Sequence, residues 1–178
     1  MDFRELVGKR QSDRSYLPKE LEQEKLDRIL ECGRLAPSAC NAQPWKFVVV
    51  TDAKLKDEVG EAARGLGMNK FAVQAPVIIV VVEERPNFSS MAGGLAKNKH
   101  FPLIDIGIAT EHICLAAADE GIGSCILGWF DEKRIKKALN IPRNKRVLLL
   151  ITLGYTEGKL RNKMRKDTLE TINYNTYK

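Results

Sequence analysis

Residues 36–50 read APSACNAQPWKFVVV, and this stretch organises the rest of the chain. A predicted helix ends at Ala36, a polar turn lies between Pro37 and Pro44, and an apolar strand begins just after Trp45. The two prolines stiffen the turn, and its small and amide side chains let another molecule approach the backbone closely. Such a turn can line a flat ligand or simply connect a helix to a strand, and its composition leaves both interpretations open.

The composition is that of one folded domain. Of the 178 residues, 44% are hydrophobic, which is enough for a sizeable core, and no linker-like stretch divides residues 1–178. We find no signal peptide and no apolar run long enough to span a bilayer, so we expect a cytoplasmic protein with no membrane partner. The cysteines form no CxxC pair and have no histidines at metal-site spacing, which favours free, mostly buried thiols over a structural metal. They are Cys32, Cys40, Cys114 and Cys125.

The net charge of +6 is concentrated in parts of the chain. Basic residues cluster near the N-terminus and over residues 159–166, where five of the eight are Lys or Arg. Aromatic residues are not interleaved with these groups as a base-stacking surface requires, so we expect no nucleic-acid partner. A phosphorylated small molecule and an ordinary solvated surface both remain compatible with the charge.

Residues 9–16 read KRQSDRSY and show no helical period. In an extended segment side chains alternate, so Arg10, Ser12 and Arg14 should project to one side and Gln11 and Asp13 to the other. Two guanidinium groups and a hydroxyl in a row suit a phosphate ester, because guanidinium is a planar bidentate donor. The same spacing also occurs among solvated surface charges.

Hydrophobic periodicity predicts most of the secondary structure. Helices are predicted over residues 2–8, 20–36, 53–66, 102–120 and about 131–139, a short helical turn over 68–74, and strands over 46–51, 75–83 and 147–154. The strands are unbroken apolar runs, which favours a sheet covered on both faces. The helix over 102–120 is apolar nearly all round, so it should be buried on most sides, and its acidic residues exclude a membrane span.

Two segments fit no simple pattern. Residues 84–101 have little periodicity, which predicts a surface loop or a mobile lid. Residues 121–128 resemble a dinucleotide-binding glycine loop, but they follow a helix and the third glycine is misplaced. We therefore interpret 121–128 as a strand or an extended arm.

Taken in order, these segments resemble the FMN-dependent nitroreductase family. The resemblance rests on KRQSDRSY (9–16), APSACNAQPW (36–45), APVIIVVV (75–82), GIGSCILGWFD (121–131) and LGY (153–155) followed by a basic tail. It implies an α+β fold with a mixed, mostly antiparallel sheet wrapped by helices. It also implies a homodimer with two FMN sites at the interface, the helix over 102–120 at its centre, and a C-terminal tail (about 159–178) packing on the partner subunit.

The resemblance also implies a set of FMN contacts. Arg14 would lie near flavin N1 and the C2 carbonyl, backbone N–H groups near Leu127 and Gly128 would face N5 and O4, and Asn69, to within a residue or two, would supply an amide. Ala39 stands where the family often has a hydroxyl. The whole set comprises Arg10, Gln11, Ser12 and Arg14; Pro37, Ser38, Ala39, Asn41 and Gln43; Asn69; Leu127 and Gly128; and Lys163 and Arg165, which would complete the phosphate site.

The implied activity is NAD(P)H-dependent reduction of nitroaromatics, quinones or similar acceptors by ping-pong hydride transfer. Flavin would carry the chemistry, so no catalytic constellation of side chains is needed. One alternative is a flavoenzyme of the same fold with another reductive role, such as dehalogenation or enone reduction. A second alternative is a non-enzymatic basic binding protein.

Overall fold

The computed structural model describes residues 2–177, so Met1 and Lys178, the two ends of the predicted domain, lie outside the described residues. The helices are α1 (Phe3–Lys9), α2 (Gln23–Arg34), α3 (Ala53–Ala63), α4 (Phe88–Lys97), α5 (Phe101–Asp119), α6 (Glu132–Ala138) and α7 (Thr168–Thr171). The strands are β1 (Trp45–Val50), β2 (Val77–Glu83), β3 (Gly123–Leu127) and β4 (Arg146–Gly154). Short 3₁₀ turns cover Ala39–Asn41, Gly65–Gly67 and Lys70–Gln74.

The strands form one sheet in the order β1-β2-β4-β3, and each neighbouring pair is antiparallel. At the outer edge of β3, Ser12 forms a parallel bridge with Ser124. The extended segment around Ser12 therefore lies along the sheet edge. This arrangement confirms the predicted α+β fold with a mostly antiparallel sheet.

The core lies on both faces of the sheet. Because side chains alternate along a strand, β2 sends Val80 into a cluster with α3 and α6, and Ile79 into a second cluster with α2 and α5. Both side chains are fully buried. The prediction of a doubly covered sheet is therefore confirmed for β2. Strand β1 is also covered on both faces, with Val48 and Val50 on the first cluster and Phe47 and Val49 on the second, although as an edge strand it is less deeply buried.

Helix α5 packs against α2 and against strands β2 and β3. By length and composition alone it would pass for a membrane span. In the fold it is a core helix, and its buried residues include the polar Asp105 and Thr110. Leu103 and Ile104, by contrast, are 52% and 53% exposed, so α5 leaves one apolar face outside the core of its own chain.

The prediction of a loop or lid over 84–101 was wrong, because this region contains α4. The Asn87 side chain caps the helix by accepting from the Ser90 N–H at 2.9 Å, and Asn98 ends it with φ at 51°. Gly94 is needed because a Cβ there would lie 2.7 Å from the Lys99 carbonyl oxygen. Several small residues along α4 replace the large apolar ones that usually reveal a helical period.

The thiols divide evenly between core and surface. Cys114 and Cys125 are buried, Cys32 and Cys40 are exposed, and all four are free. Burial raises the pKa of Cys114 to about 12. The prediction of mostly buried thiols was therefore wrong for two of them, because both exposed cysteines lie on polar surfaces that a short apolar residue also tolerates.

Candidate active site

The C-terminal tail returns to the extended segment near the N-terminus. The Arg161 backbone N–H donates to Gln11 Oε1 at 3.1 Å, and the Arg161 guanidinium donates to the Ser12 carbonyl. The Lys163 ammonium donates to the Arg10 carbonyl. These bonds bring the basic tail and the basic N-terminal segment together across about 150 residues of sequence.

Three cations converge where the two segments meet. Partial burial, the neighbouring Arg10 and then Arg165 lower the pKa of Lys163, and Glu111 on α5 opposes them. Glu111 Oε1 lies 3.3 Å from Arg10 Nε. One carboxylate facing three cations leaves a cluster with net positive charge, which attracts anions. We call Arg10, Lys163 and Arg165 the cation cluster.

Side chains alternate from Gln11 to Arg14, as predicted. Gln11 Nε2 donates to Asp13 Oδ1 at 2.8 Å, and the Asp13 N–H donates to the Ser124 carbonyl at 2.8 Å. The Gln11 side chain therefore holds the extended segment and the tail together. Any contact of Gln11 with a ligand would then be made by its backbone. Ser12 and Arg14 lie on the side of Cys125, where both counteract the effect of burial, which raises the pKa of that thiol.

Tyr16 anchors the end of this segment to the sheet. Its hydroxyl lies 2.7 Å from Thr152 Oγ1 on β4 and also donates to the Asp13 carbonyl at 3.1 Å. Burial raises the pKa of Tyr16, so the phenol stays protonated and keeps donating. A buried anchor of this kind fixes the position of Arg14, which is exposed.

Asn69 links the end of α3 to residues 127–129 at the end of β3, which we call the arm. Its amide nitrogen donates to the Ala63 carbonyl at 3.1 Å and to the Trp129 carbonyl at 2.9 Å. Both amide protons are then used, so Oδ1, which is bonded to none of the described residues, remains as an acceptor. On the same arm, a side chain at Gly128 would meet nothing within 4 Å. The arm thus borders open space at Gly128.

The turn that contains Asn41 and Gln43 forms a second group of predicted site residues. Cys40, Asn41 and Gln43 have φ of 52°, 51° and 47°, a conformation that asparagine tolerates better than most residues. Ser38 Oγ accepts from the Gln43 N–H at 2.9 Å, and Gln43 Nε2 donates to Asn41 Oδ1 at 3.1 Å. The side chains of the turn therefore stabilise their own backbone, and Pro37 is exposed at its edge.

Two side chains from elsewhere hold this turn in place. Asp105 Oδ1 accepts from the Ala39 N–H at 3.1 Å, and Asn87 Nδ2 donates to the Cys40 carbonyl at 2.9 Å. Asn87 also caps α4, so that helix and the turn share one residue. The backbone N–H of Ala39 thus has a partner even though this residue has no hydroxyl.

The predicted site residues fall into two groups within one chain. Among the residues that the structure describes, no hydrogen bond or ion pair joins the group around the cation cluster to the turn at 37–43. Helix α5 supports both groups, through Glu111 and Asp105, which are about 9 Å apart along its axis at 1.5 Å per residue. One chain therefore presents two half-sites on a common helix.

Four residues of this region were missed by the sequence analysis: Asn87, Asp105, Glu111 and Arg161. Asn87 follows Pro86, a typical position for a helix cap, but the small residues of α4 hid the helix. The acids of α5 were interpreted only as evidence against a membrane span. Acids in an otherwise apolar helix need a partner, which was the signal that could have identified them.

We expect Asn69→Asp to loosen the arm at 127–129. A carboxylate has no proton to donate, so it would face the Ala63 and Trp129 carbonyls with like partial charge. The free energy of unfolding should fall by about 1–3 kcal/mol, because two hydrogen bonds that each contribute about 0.5–1.5 kcal/mol are lost. Urea unfolding measures this loss, and Asn144→Asp on an exposed turn is the control that should stay near the parent. Equal stability of both variants would show that the Asn69 side chain does not stabilise the arm.

A cation cluster, an amide oxygen that can accept and an open-sided arm are features that suit a flat, phosphorylated ligand. The sequence profile of the Nitroreductase family matches residues 7–68 and 62–155, and the chain belongs to this family. A nitroreductase family protein from Clostridium novyi NT is 38% identical and has a TM-score of 0.77, over 87% of this chain and 85% of the other.

Two further comparisons carry more specific names. An oxygen-insensitive NADPH nitroreductase from Helicobacter pylori is 28% identical over 96% of this chain and 95% of its own length. An FMN-dependent nitroreductase from Clostridium difficile R20291 is 26% identical with a TM-score of 0.78, over 97% and 98% of the two chains. The chain is thus an oxidoreductase of the nitroreductase family.

Proposed function

We propose that the protein is an FMN-dependent oxidoreductase that uses NAD(P)H to reduce nitroaromatics, quinones or similar acceptors. The observation that carries the proposal is the cation cluster, in which the Lys163 ammonium donates to the Arg10 carbonyl and so brings the basic tail against the basic N-terminal segment. A phosphate monoester carries nearly two negative charges at neutral pH and is the natural ligand of such a cluster. The names of the relatives from Helicobacter pylori and Clostridium difficile support NADPH as donor and FMN as cofactor.

The residues present fit FMN at both of its ends. Arg10, Lys163 and Arg165 would bind the phosphate with the Ser12 hydroxyl. Oxidised flavin has one N–H on its ring system, and Asn69 offers an acceptor because both of its amide protons are already used. The open space beside Gly128 leaves room for the ring to approach the backbone after Leu127.

Once bound, FMN supplies hydride transfer between donor and acceptor, and the protein supplies binding, orientation and charge. Arg14 is exposed at the end of the anchored segment, and we assign it to the flavin N1 and C2 carbonyl edge. A guanidinium there stabilises the negative charge that develops on reduction. The amides of Asn41 and Gln43 lie in the other half-site and would line the acceptor side of the ring.

We expect Arg14→Gln to slow flavin reduction by NAD(P)H about tenfold, equivalent to about 1.4 kcal/mol of lost differential stabilisation, and to lower the flavin potential. Stopped-flow reduction at saturating FMN measures the rate apart from any change in affinity. Arg143→Gln, an exposed cation after α6, is the control for net charge. An unchanged rate and potential in Arg14→Gln would remove Arg14 from the mechanism.

We further propose that the enzyme is a homodimer in which the turn at 37–43 of one subunit completes the FMN site of the other. This proposal rests on the two separate half-sites and on the exposed apolar face of α5 at Leu103 and Ile104. All described residues after Thr156 are exposed, including Leu169 and Tyr174, so the tail has no core of its own to pack on. We assign the tail to the partner's surface, which would bury these side chains.

An anaerobic screen of oxidants with the FMN-loaded enzyme tests the activity. Nitroaromatics or quinones should reoxidise the reduced enzyme fastest, and NADH and NADPH should be compared as donors. Because both substrates would use the same open face in turn, double-reciprocal plots should give parallel lines. Preferential turnover of a halogenated aromatic or an enone would favour the other reductive role. A cytoplasmic location is part of the proposal, since NAD(P)H is held there.

A further inference from the structure

Glu111 lies at the middle of α5 and faces the cation cluster. Its Oε1 atom is 3.3 Å from Nε of Arg10, and its side chain is half-exposed. An ion pair this open to solvent contributes little to the stability of a fold. The effect of a carboxylate beside a phosphate site is therefore expected on the orientation of Arg10 and not on the stability of the fold.

A guanidinium presents its N–H groups along distinct edges. The Glu111 carboxylate forms an ion pair with Arg10 on the Nε side of the guanidinium, and this leaves the terminal nitrogens, Nη1 and Nη2, for another acceptor. Among the residues that the structure describes, none accepts from either terminal nitrogen. An ion pair on the Nε side draws that side of the guanidinium toward α5 and turns the opposite edge away from the helix, and bidentate recognition of a phosphate depends on that direction.

The geometry points to Glu111 as a positioning residue for FMN: it acts through Arg10, orienting the guanidinium so that its free edge meets the phosphate. This inference rests on the proposed FMN function. The competing account is that Glu111 only offsets the positive charge of the cluster. The two accounts predict opposite changes in FMN affinity when Glu111 is removed. A carboxylate that merely repels the phosphate would weaken FMN binding, whereas a positioning carboxylate strengthens it.

The test is equilibrium binding of FMN and of riboflavin, which lacks the phosphate, to the purified apoprotein. Glu111→Ala should raise the dissociation constant for FMN about tenfold and leave that for riboflavin within about twofold. Glu111→Gln keeps the length of the side chain and a partly negative oxygen facing the Nε side of Arg10, and it should restore FMN binding to within about twofold of the parent. Asp119→Ala, an exposed acid near the end of the same helix, is the control for net charge.

A double-mutant cycle tests whether Glu111 acts through Arg10. In an Arg10→Ala background, Glu111→Ala should change FMN affinity by less than about twofold. FMN binding by Glu111→Ala as tight as in the parent, or tighter, would overturn the inference in favour of charge neutralisation. An equal loss of FMN and riboflavin binding would overturn it in favour of general structural support, and so would a Gln variant as weak as the Ala variant.

Failure of the inference is distinguishable from failure of the proposed function. If the parent protein binds riboflavin as tightly as FMN, the proposed phosphate site is wrong. A parent that prefers FMN strongly, with Glu111 variants unchanged, would remove only the role of Glu111. Circular dichroism of each variant establishes that it is folded before affinities are compared.

Discussion

Arg10→Glu should abolish practical FMN binding, raising the dissociation constant roughly 150-fold, or about 3 kcal/mol. The variant removes charge-assisted hydrogen bonds to the phosphate, each contributing about 1.5–3 kcal/mol, and adds repulsion in their place. It also places a second carboxylate beside Glu111, which lies 3.3 Å from Arg10 in the parent. Fluorescence titration of apoprotein with FMN measures the change.

Two controls separate the phosphate site from other effects of Arg10→Glu. Riboflavin affinity should change by less than about threefold, because charge repulsion at the cluster acts on the phosphate. Arg4→Glu makes the same change in net charge on the exposed face of α1 and should bind FMN like the parent. FMN binding by Arg10→Glu that matches the parent would show that the cation cluster is not the phosphate site.

Ile104→Glu should give a folded protein that is monomeric and has lost most of its FMN. In a single chain Ile104 is 53% exposed, so a carboxylate there stays in water and costs the fold little. In the proposed dimer the same carboxylate would be buried without a partner at the interface, which costs several kcal/mol. In the proposed dimer each FMN site includes the turn at 37–43 of the partner subunit. Loss of the dimer should therefore also cause loss of the flavin.

Ala117→Glu is the matched contrast on the same helix. Ala117 is fully buried in the core between α2, α5 and the sheet, so the new charge should prevent folding rather than assembly. Light scattering and flavin content together report the outcome for both variants. A dimeric Ile104→Glu protein with a full complement of FMN would contradict the interface, and a monomeric parent that binds FMN tightly would contradict the shared site.

The sequence alone predicted the elements that are governed by local periodicity. The apolar run of β2 and the largely apolar α5 are both found where expected, because long apolar segments leave a pattern that needs no tertiary information. The side-chain alternation that separates Gln11 and Asp13 from Ser12 and Arg14 was equally predictable. It follows from extended backbone, whatever lies on either side.

Features that depend on tertiary neighbours were not predictable in this way. The edge position of β1 is a matter of strand order, and its Phe-Val-Val-Val run resembles that of a central strand. The roles of Asp105 and Glu111 depend on their contacts with Ala39 and Arg10, which lie 66 and 101 residues away in the sequence. The assignment of cofactor and site residues came from the family resemblance, since two guanidinium groups and a hydroxyl also occur on ordinary surfaces.

The most direct test of the account is an anaerobic titration of the purified protein with NADH and NADPH. We expect the protein to be yellow, to carry one noncovalent FMN per subunit, and to lose its oxidised flavin absorbance on addition of at least one donor. The absorbance should return when a nitroaromatic or a quinone is added. A protein that takes up no FMN, or one whose bound FMN neither donor reduces, would contradict the proposed function.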